Sequence, residues 1–331
     1  MRISILGAGS WGTTVAALVC KRHDTLLWTR DPGIVEEIND KHHNQVYLPG
    51  FALPEALTAT HDMEAAVSRA QLLIIGVPSH VFRGVLGRTA DHVPPWIPVV
   101  SLAKGLEHGT HLRMTQIIEQ VLPGHPAAAL TGPNLAREIL AGKAAAAVIA
   151  TENPSVAGML QTILQRGLLR VYTNDDVTGC ELGGALKNVV AIAAGMAEGL
   201  GVGDNTRAAV ITRGLAELTQ LGAAMGGKAA TFAGLTGLGD LLATCLSPHS
   251  RNRHVGEQLG KGRVLGDVLA EMVMVAEGVS TTPVAVQLGD RHGLELPICR
   301  IINQVLTGET TARDAYADLR HTPAGTESGP W

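Results

Sequence analysis

The chain lacks the marks of several protein classes. Only four of its 331 residues are cysteine, at positions 20, 180, 245 and 299. They are widely spaced and form no CxxC pair, which argues against a disulfide-stapled scaffold and predicts reduced thiols in a cytoplasmic protein. Charge of one sign is not in surplus: 26 Lys and Arg against 30 Asp and Glu leave a net −4, which gives no field for gathering nucleic acid. No run approaches the roughly 18 uninterrupted apolar residues of a membrane span, so membrane insertion is not expected. Met1 to Leu6 loosely mimics a signal peptide, but glycines at 7, 9 and 12 interrupt it and no small-x-small cleavage site follows. Repeats, coiled-coil heptads and an HExxH motif are also missing. The adjacent His42 and His43 have no converging Cys partner, so no metal is expected, and 39–54 reads as a solvated loop.

What is present suits a globular chain. Hydrophobic residues make up 46% and charged residues 17%, and the length allows two domains. Arg2 to Leu6 reads as a buried strand, and a helical run follows from Thr13 to Lys21. Thr25 to Thr29 is the next strand. Between the first strand and the helix stands Gly7-Ala8-Gly9-Ser10-Trp11-Gly12, a G-x-G-x-x-G in the context that motif requires. Gly7 makes the tight turn, Gly9 lets backbone approach a pyrophosphate, and Gly12 lets the helix pack on the strand. After the second strand comes Arg30 and then Asp31. An arginine there can pair with a 2′-phosphate, so NADPH is expected to be accepted, while Asp31 keeps NADH in play. Asp31 also suits the cap of a helix beginning at Pro32.

Further strands are predicted at 72–77, 97–102, 127–130, 145–150 and 169–172. Ligands of open α/β sheets bind outside the carboxyl ends of strands. Lys104, Gly132 and Asn134 follow such ends. Lys104 is a candidate for gripping an oxygen or phosphate; by itself it reads as an ordinary surface lysine in a turn.

From Glu181 onward the pattern is almost wholly helical. Lys187 is the one cation in a run of small and apolar residues extending to Gly195. On a helix it has Gly183 and Gly184 one turn before it and Ala191 one turn after, so another backbone or a ligand can come close. Desolvation lowers a lysine pKa and suits it to proton transfer; a snorkelling stem is the plainer alternative. Asp204-Asn205-Thr206 looks like a helix start, with an apolar stripe through Val210, Leu215, Leu218 and Leu221. Gly234 to Leu242 reads as a glycine-rich turn delivering Asp240, either to a site or as a helix cap. Ser250-Arg251-Asn252-Arg253 offers hydroxyl, guanidinium and amide together, which suits a phosphate monoester or a capped surface helix.

These motifs, in this order, resemble the bacterial NAD(P)-dependent glycerol-3-phosphate dehydrogenase family. The landmarks are GAGSWGT (7–13), YLPG (47–50), VPSH (77–80), AKGLE (103–107), TGPN (131–134), ELGGALKNVVAIAAG (181–195), GDNTRAAVITRGLAEL (203–218), GLTGLGDLLATC (234–245), SRNR (250–253) and AEGVSTT (276–282). The resemblance runs from about Arg2 to Leu319. It implies an α/β fold: a Rossmann domain with a mostly parallel sheet over 1–180, an all-helical substrate domain over 181–320, and an active site between them. Residues 321–331 are expected to be a flexible tail. It implies reduction of dihydroxyacetone phosphate by NADPH or NADH to sn-glycerol 3-phosphate, supplying glycerophospholipid synthesis, in a soluble homodimer. Lys187 is implied as general acid, and as base in reverse, with Lys104 and Asp240 arranging the reacting end. Gly132, Asn134, Ser250, Arg251 and Asn252 are implied around the substrate. The cofactor is implied to touch Ser10, Trp11, Arg30, Lys104, Arg251, Val275 and Glu277, besides the three glycines. The family usually has Ser where this chain has Asn134. Rival readings are another two-domain keto-acid reductase, such as a ketopantoate reductase, and a non-catalytic NADPH sensor.

Overall fold

The computed structural model describes residues 1–321, and side chains as far as Ala317. The tail expected from 321 lies outside the described residues, except that His321 ends the last helix. The chain divides into two compact units, Met1–Glu181 and a second from Leu182 onward.

The first unit is built on eight strands: β1 Arg2–Leu6, β2 Asp24–Trp28, β3 Thr58–Thr60, β4 Leu72–Ile75, β5 Val99–Ser101, β6 Ala127–Thr131, β7 Ala145–Ala150 and β8 Leu169–Asn174. They form one sheet in the order 3-2-1-4-5-6-7-8. All neighbours are parallel except β6 and β7. The helices are α1 Ser10–Val19, α2 Pro32–Lys41, α3 Met63–Val67, α4 Ser79–Gly87, α5 Met114–Val121, α6 Ala136–Leu140 and α7 Pro154–Leu164. The sheet is apolar on both faces, as parallel strands require. Leu72 and Ile74 of β4 join one core cluster, and Leu73 and Ile75 join the other. The strand order reverses direction at β1 and β4, and that crevice is where such sheets take ligands.

The second unit is helical. The division falls inside α8 Val177–Gly199. It continues with α9 Asp204–Ala224, α10 Ala229–Phe232, a π-helical turn Leu235–Gly239, α11 Asp240–Leu246 and α12 Arg251–Gly260. Then come α13 Leu265–Ala270, α14 Glu277–Arg291, α15 Pro297–Thr307 and α16 Ala312–His321. Two helical segments, 177–199 and 229–246, are long and apolar enough by length and composition to cross a membrane; the apolar window of the first is wholly buried in the protein. What lets α8 be so enclosed is glycine. A Cβ on Gly195 would stand 2.1 Å from the Arg253 carbonyl oxygen, and one on Gly256 would stand 2.0 Å from that of Ile192. Backbone therefore packs on backbone where α8 and α12 cross.

Two expectations need correction here. Most of the expected turn is instead a π-helical stretch, Leu235–Gly239, which runs into α11 at Asp240. The buried stripe of α9 runs through Ile211, Gly214, Leu218 and Leu221, with Glu217, rather than through Val210 and Leu215. Glu217 is inside because its two carboxylate oxygens accept from the Ile298 and Cys299 N–H groups, at 2.7 and 3.1 Å, capping α15 from outside that helix. Burial pushes its pKa up, against those two donors.

Candidate active site

The glycine loop adopts the geometry its sequence requires. Gly7 has φ +115, and a Cβ there would lie 2.8 Å from the Gly76 carbonyl carbon at the end of β4. A Cβ on Gly12 would lie 2.0 Å from the Gly7 oxygen. Gly9 differs: a Cβ there would meet nothing within 4 Å, so the loop faces open space at that residue. Helices α2, α3 and α7 are capped by the side chains of Asp31, Asp62 and Asn153. Helix α1 has no side-chain cap at Gly9 and no acid in its first turn. An uncapped helix start beside open space suits an anion such as a pyrophosphate. Ser10 opens that helix, and its carbonyl accepts from the Thr14 hydroxyl at 2.7 Å. The Trp11 indole N–H is buried without a hydrogen-bond partner among the described residues. These observations fit a dinucleotide. At the end of β2, Arg30 is exposed, whereas the Asp31 carboxylate is committed to the Gly33 N–H at 2.8 Å.

Three expected residues meet beyond the carboxyl ends of β5 and β6. The Lys104 ammonium donates to the Gly132 carbonyl at 2.9 Å and to Asn134 Oδ1 at 2.7 Å. Gly132 has φ +100, which a side chain would strain. Asn134 is buried, and its amide also reaches the Thr131 carbonyl at 3.3 Å. The loop holding Lys104 is anchored by Glu107, which receives two hydrogen bonds from Arg83, at 2.7 and 2.8 Å.

In the second unit Lys187 is 4% exposed and Asp240 2% exposed. The lysine ammonium donates to Asp240 Oδ1 and, at 2.7 Å, to Thr244 Oγ1. The Thr244 hydroxyl in turn donates to the Asp240 carbonyl at 2.6 Å. The expected close approach at Gly183 is present: a Cβ there would lie 2.8 Å from the Thr236 carbonyl oxygen. Lys187 is thus no snorkelling side chain. Nearby, burial pushes the Cys245 thiol up to about 12, with the Lys187 charge pulling the other way.

Ser250, Arg251 and Asn252 stand at the start of α12 in three different situations. Ser250 caps the helix, accepting from the Arg253 N–H at 3.2 Å. Asn252 has both ends of its amide engaged: it donates to Asn188 Oδ1 at 2.9 Å and accepts from the Gly278 N–H at 2.9 Å. Arg251 is exposed and donates to the Val275 carbonyl at 2.8 Å. Glu277 opens α14 within electrostatic range of Arg251. Thr244 and Asn188 went unremarked in the sequence. Thr244 follows Asp240 by one helical turn, so its shared face was legible; Asn188 carried no comparable signal. Among the described residues no group of three or more His, Cys, Asp or Glu is placed to hold a metal.

A relative from Sphingopyxis alaskensis, named glycerol-3-phosphate dehydrogenase [NAD(P)+] 2, is 56% identical over 330 residues, covering 100% of this chain and 99% of the relative. The chain belongs to the NAD-dependent glycerol-3-phosphate dehydrogenase family. Residues 2–157 match the family's N-terminal model and 176–317 its C-terminal model. A glycerol-3-phosphate dehydrogenase [NAD(P)+] 1 from Mycobacterium tuberculosis is 51% identical over 319 residues, 96% of this chain and 94% of that one. The crystal structure of a glycerol-3-phosphate dehydrogenase from Coxiella burnetii superposes with a TM-score of 0.93 at 35% identity, covering 97% of this chain and 99% of that one. The Rossmann-type sheet followed by a helical half is the family's arrangement.

Proposed function

We propose that the protein reduces dihydroxyacetone phosphate to sn-glycerol 3-phosphate, reversibly, with NADPH or NADH. The observation that carries this is the enclosed Lys187–Asp240 pair, the one cation of helix α8 held in place against a buried carboxylate. A nicotinamide supplies the hydride when bound. Gly7, Gly9, Ser10, Trp11, Gly12 and Arg30 would hold the dinucleotide, with Lys104, Arg251, Val275 and Glu277. Lys187 holds the proton that the carbonyl oxygen takes up during reduction, and recovers it in the reverse direction. Its charge also opposes the negative charge growing on that oxygen. Asp240 and Thr244 fix the ammonium, so that it needs little reorientation when the oxygen charges. Lys104, held by Gly132 and Asn134, presents a second cation to the substrate. Arg251 grips the phosphate, with Ser250 beside it, and that remote contact orients the reacting end. Asn252 acts on the site through Asn188 and Gly278.

The product is a precursor of glycerophospholipids, and supply of that synthesis is the cellular role we assign. The protein works in the cytoplasm, as a homodimer and without membrane insertion. The four buried cysteines form no disulfide among the described residues, which supports a reducing compartment. The test is loss of the reduced nicotinamide's near-ultraviolet absorbance on adding dihydroxyacetone phosphate, with NADPH and then NADH. Rapid oxidation that requires the substrate's phosphate is expected. Binding of NADPH without oxidation would point instead to another keto substrate or to a sensor.

A further inference from the structure

The segment 39–54, expected to be a solvated loop, begins as the end of α2, and the loop that follows holds a fully buried side chain. Asn44 is 0% exposed, and Leu48 and Leu53 beside it are buried too. Its amide donates to the Ala8 carbonyl at 2.9 Å and to Thr13 Oγ1 at 3.0 Å, and its Oδ1 accepts from the Tyr47 N–H at 3.3 Å. The Thr13 hydroxyl donates to the same Ala8 carbonyl at 3.1 Å. Two side chains from separate segments therefore hold one carbonyl oxygen in the middle of the glycine loop.

We propose that Asn44 is a positioning residue for the dinucleotide, acting through the Ala8–Gly9 peptide. A trans peptide points its C=O and the following N–H in opposite directions. Pinning the Ala8 oxygen toward Asn44 and Thr13 aims the Gly9 N–H the other way. Nothing would meet a Cβ on Gly9 within 4 Å, so room for a ligand adjoins that peptide. Gly9 is also the residue most free to rotate, because a glycine peptide resists flipping least. The loop needs an external lock at this point, and Asn44 supplies it. The ligand it serves is the pyrophosphate bridge rather than the adenine or nicotinamide end. This rests on the dinucleotide reading above.

The test uses equilibrium binding to the full chain, followed by tryptophan fluorescence or calorimetry. Asn44→Asp keeps the shape of the side chain but replaces a donor with an acceptor facing the Ala8 oxygen. Thr13→Val removes the second donor and keeps volume. Each variant is expected to weaken NADPH, NADH and ADP-ribose binding by about tenfold, the loss of a hydrogen bond or so. Adenosine 2′-monophosphate, which lacks the pyrophosphate, is expected to bind as to wild type. At saturating cofactor, kcat and the KM for dihydroxyacetone phosphate are expected to stay within about twofold. Should Asn44→Asp fail to fold, Thr13→Val alone decides the matter. Unchanged ADP-ribose affinity, or an equal loss for adenosine 2′-monophosphate, overturns the positioning role while leaving the enzyme assignment intact. Failure of the wild-type chain to bind any dinucleotide overturns both.

Discussion

Lys187 and Asp240 lie 53 positions apart and are buried against each other. Removing one partner of such a pair has two separable effects. It takes away the proposed proton donor, and it takes the ammonium from a buried carboxylate, which costs about 3–5 kcal/mol of stability. Lys187→Ala is therefore expected to unfold at a lower temperature and to lose roughly 10²–10⁴ in kcat, the range of general acid catalysis. Lys187→Ala combined with Asp240→Asn also removes the carboxylate's charge and is expected to regain much of the stability but none of the rate. Both variants should bind NADPH as wild type does. Calorimetric unfolding with steady-state kinetics checks this. Equal loss of cofactor affinity and rate would count against the proton-transfer role.

Asn134 is buried, and its Oδ1 accepts from the Lys104 ammonium at 2.7 Å. A hydrogen bond to a charged group contributes about 1.5–3 kcal/mol, so Asn134→Ala is expected to raise the KM for dihydroxyacetone phosphate by about tenfold or more. Lys104 keeps the Gly132 carbonyl, so the site is weakened rather than lost. Asn134→Ser is expected to fall between the two, because the shorter hydroxyl cannot span the same distance without movement of the lysine. KM measured at saturating NADPH reads this out, and a wild-type KM in Asn134→Ala would exclude a substrate role.

Long, strongly patterned segments were legible. The glycine loop, the strands of 2–6 and 145–150, and the close approach at Gly183 all follow from side-chain size and period. Three features were not. Strand β3 is three residues long, with one buried alanine between two threonines, and so has no period to detect. The stripe on α9 was misread because Glu217 is buried to cap another helix, while Gly214 admits the Val190 side chain; polarity and small size both hid the inner face. Asn44 was hidden for a related reason. A buried amide is recognisable only from its partners, and Ala8 is 36 residues away. For the site, sequence brought Lys104, Asn134, Lys187 and Asp240 forward, but not how they are held: the Lys187 contact to Thr244 and the Lys104 contact to Asn134 are made through the fold.

Two adjacent residues after β2 have different commitments. Asp31 spends its Oδ1 on the Gly33 N–H, and Arg30 is exposed at the end of β2. A guanidinium pairs well with a phosphate monoester. Arg30→Ala is expected to lower kcat/KM for NADPH by about 10–100-fold and to change that for NADH by less than about threefold. The ratio of the two values is the readout, and a parallel fall would remove Arg30 from 2′-phosphate recognition.

The last relationship is a pH-dependent one. Glu107 receives both hydrogen bonds of the Arg83 fork and one from the Thr110 hydroxyl at 2.5 Å. The hydrogen bonds from Arg83 hold its carboxyl below the usual value of 4.5. A depressed folded pKa means that the unfolded chain binds the proton first as pH falls. The stabilisation is therefore complete above pH 4.5 and is lost as pH drops through the lower folded value. Glu107→Gln removes this linkage while keeping the size of the side chain. It is expected to lower Tm by about 2–4 °C near neutrality, corresponding to about 1 kcal/mol for a partly exposed bidentate pair. That gap should narrow steadily below pH 4.5 and be screened only in part by salt, since Glu107 is 14% exposed. Because Glu107 anchors the loop that presents Lys104, the variant is also expected to raise the KM for dihydroxyacetone phosphate at neutral pH. A Tm difference constant from pH 7 to pH 3 would show that the carboxylate's charge is not what holds the loop.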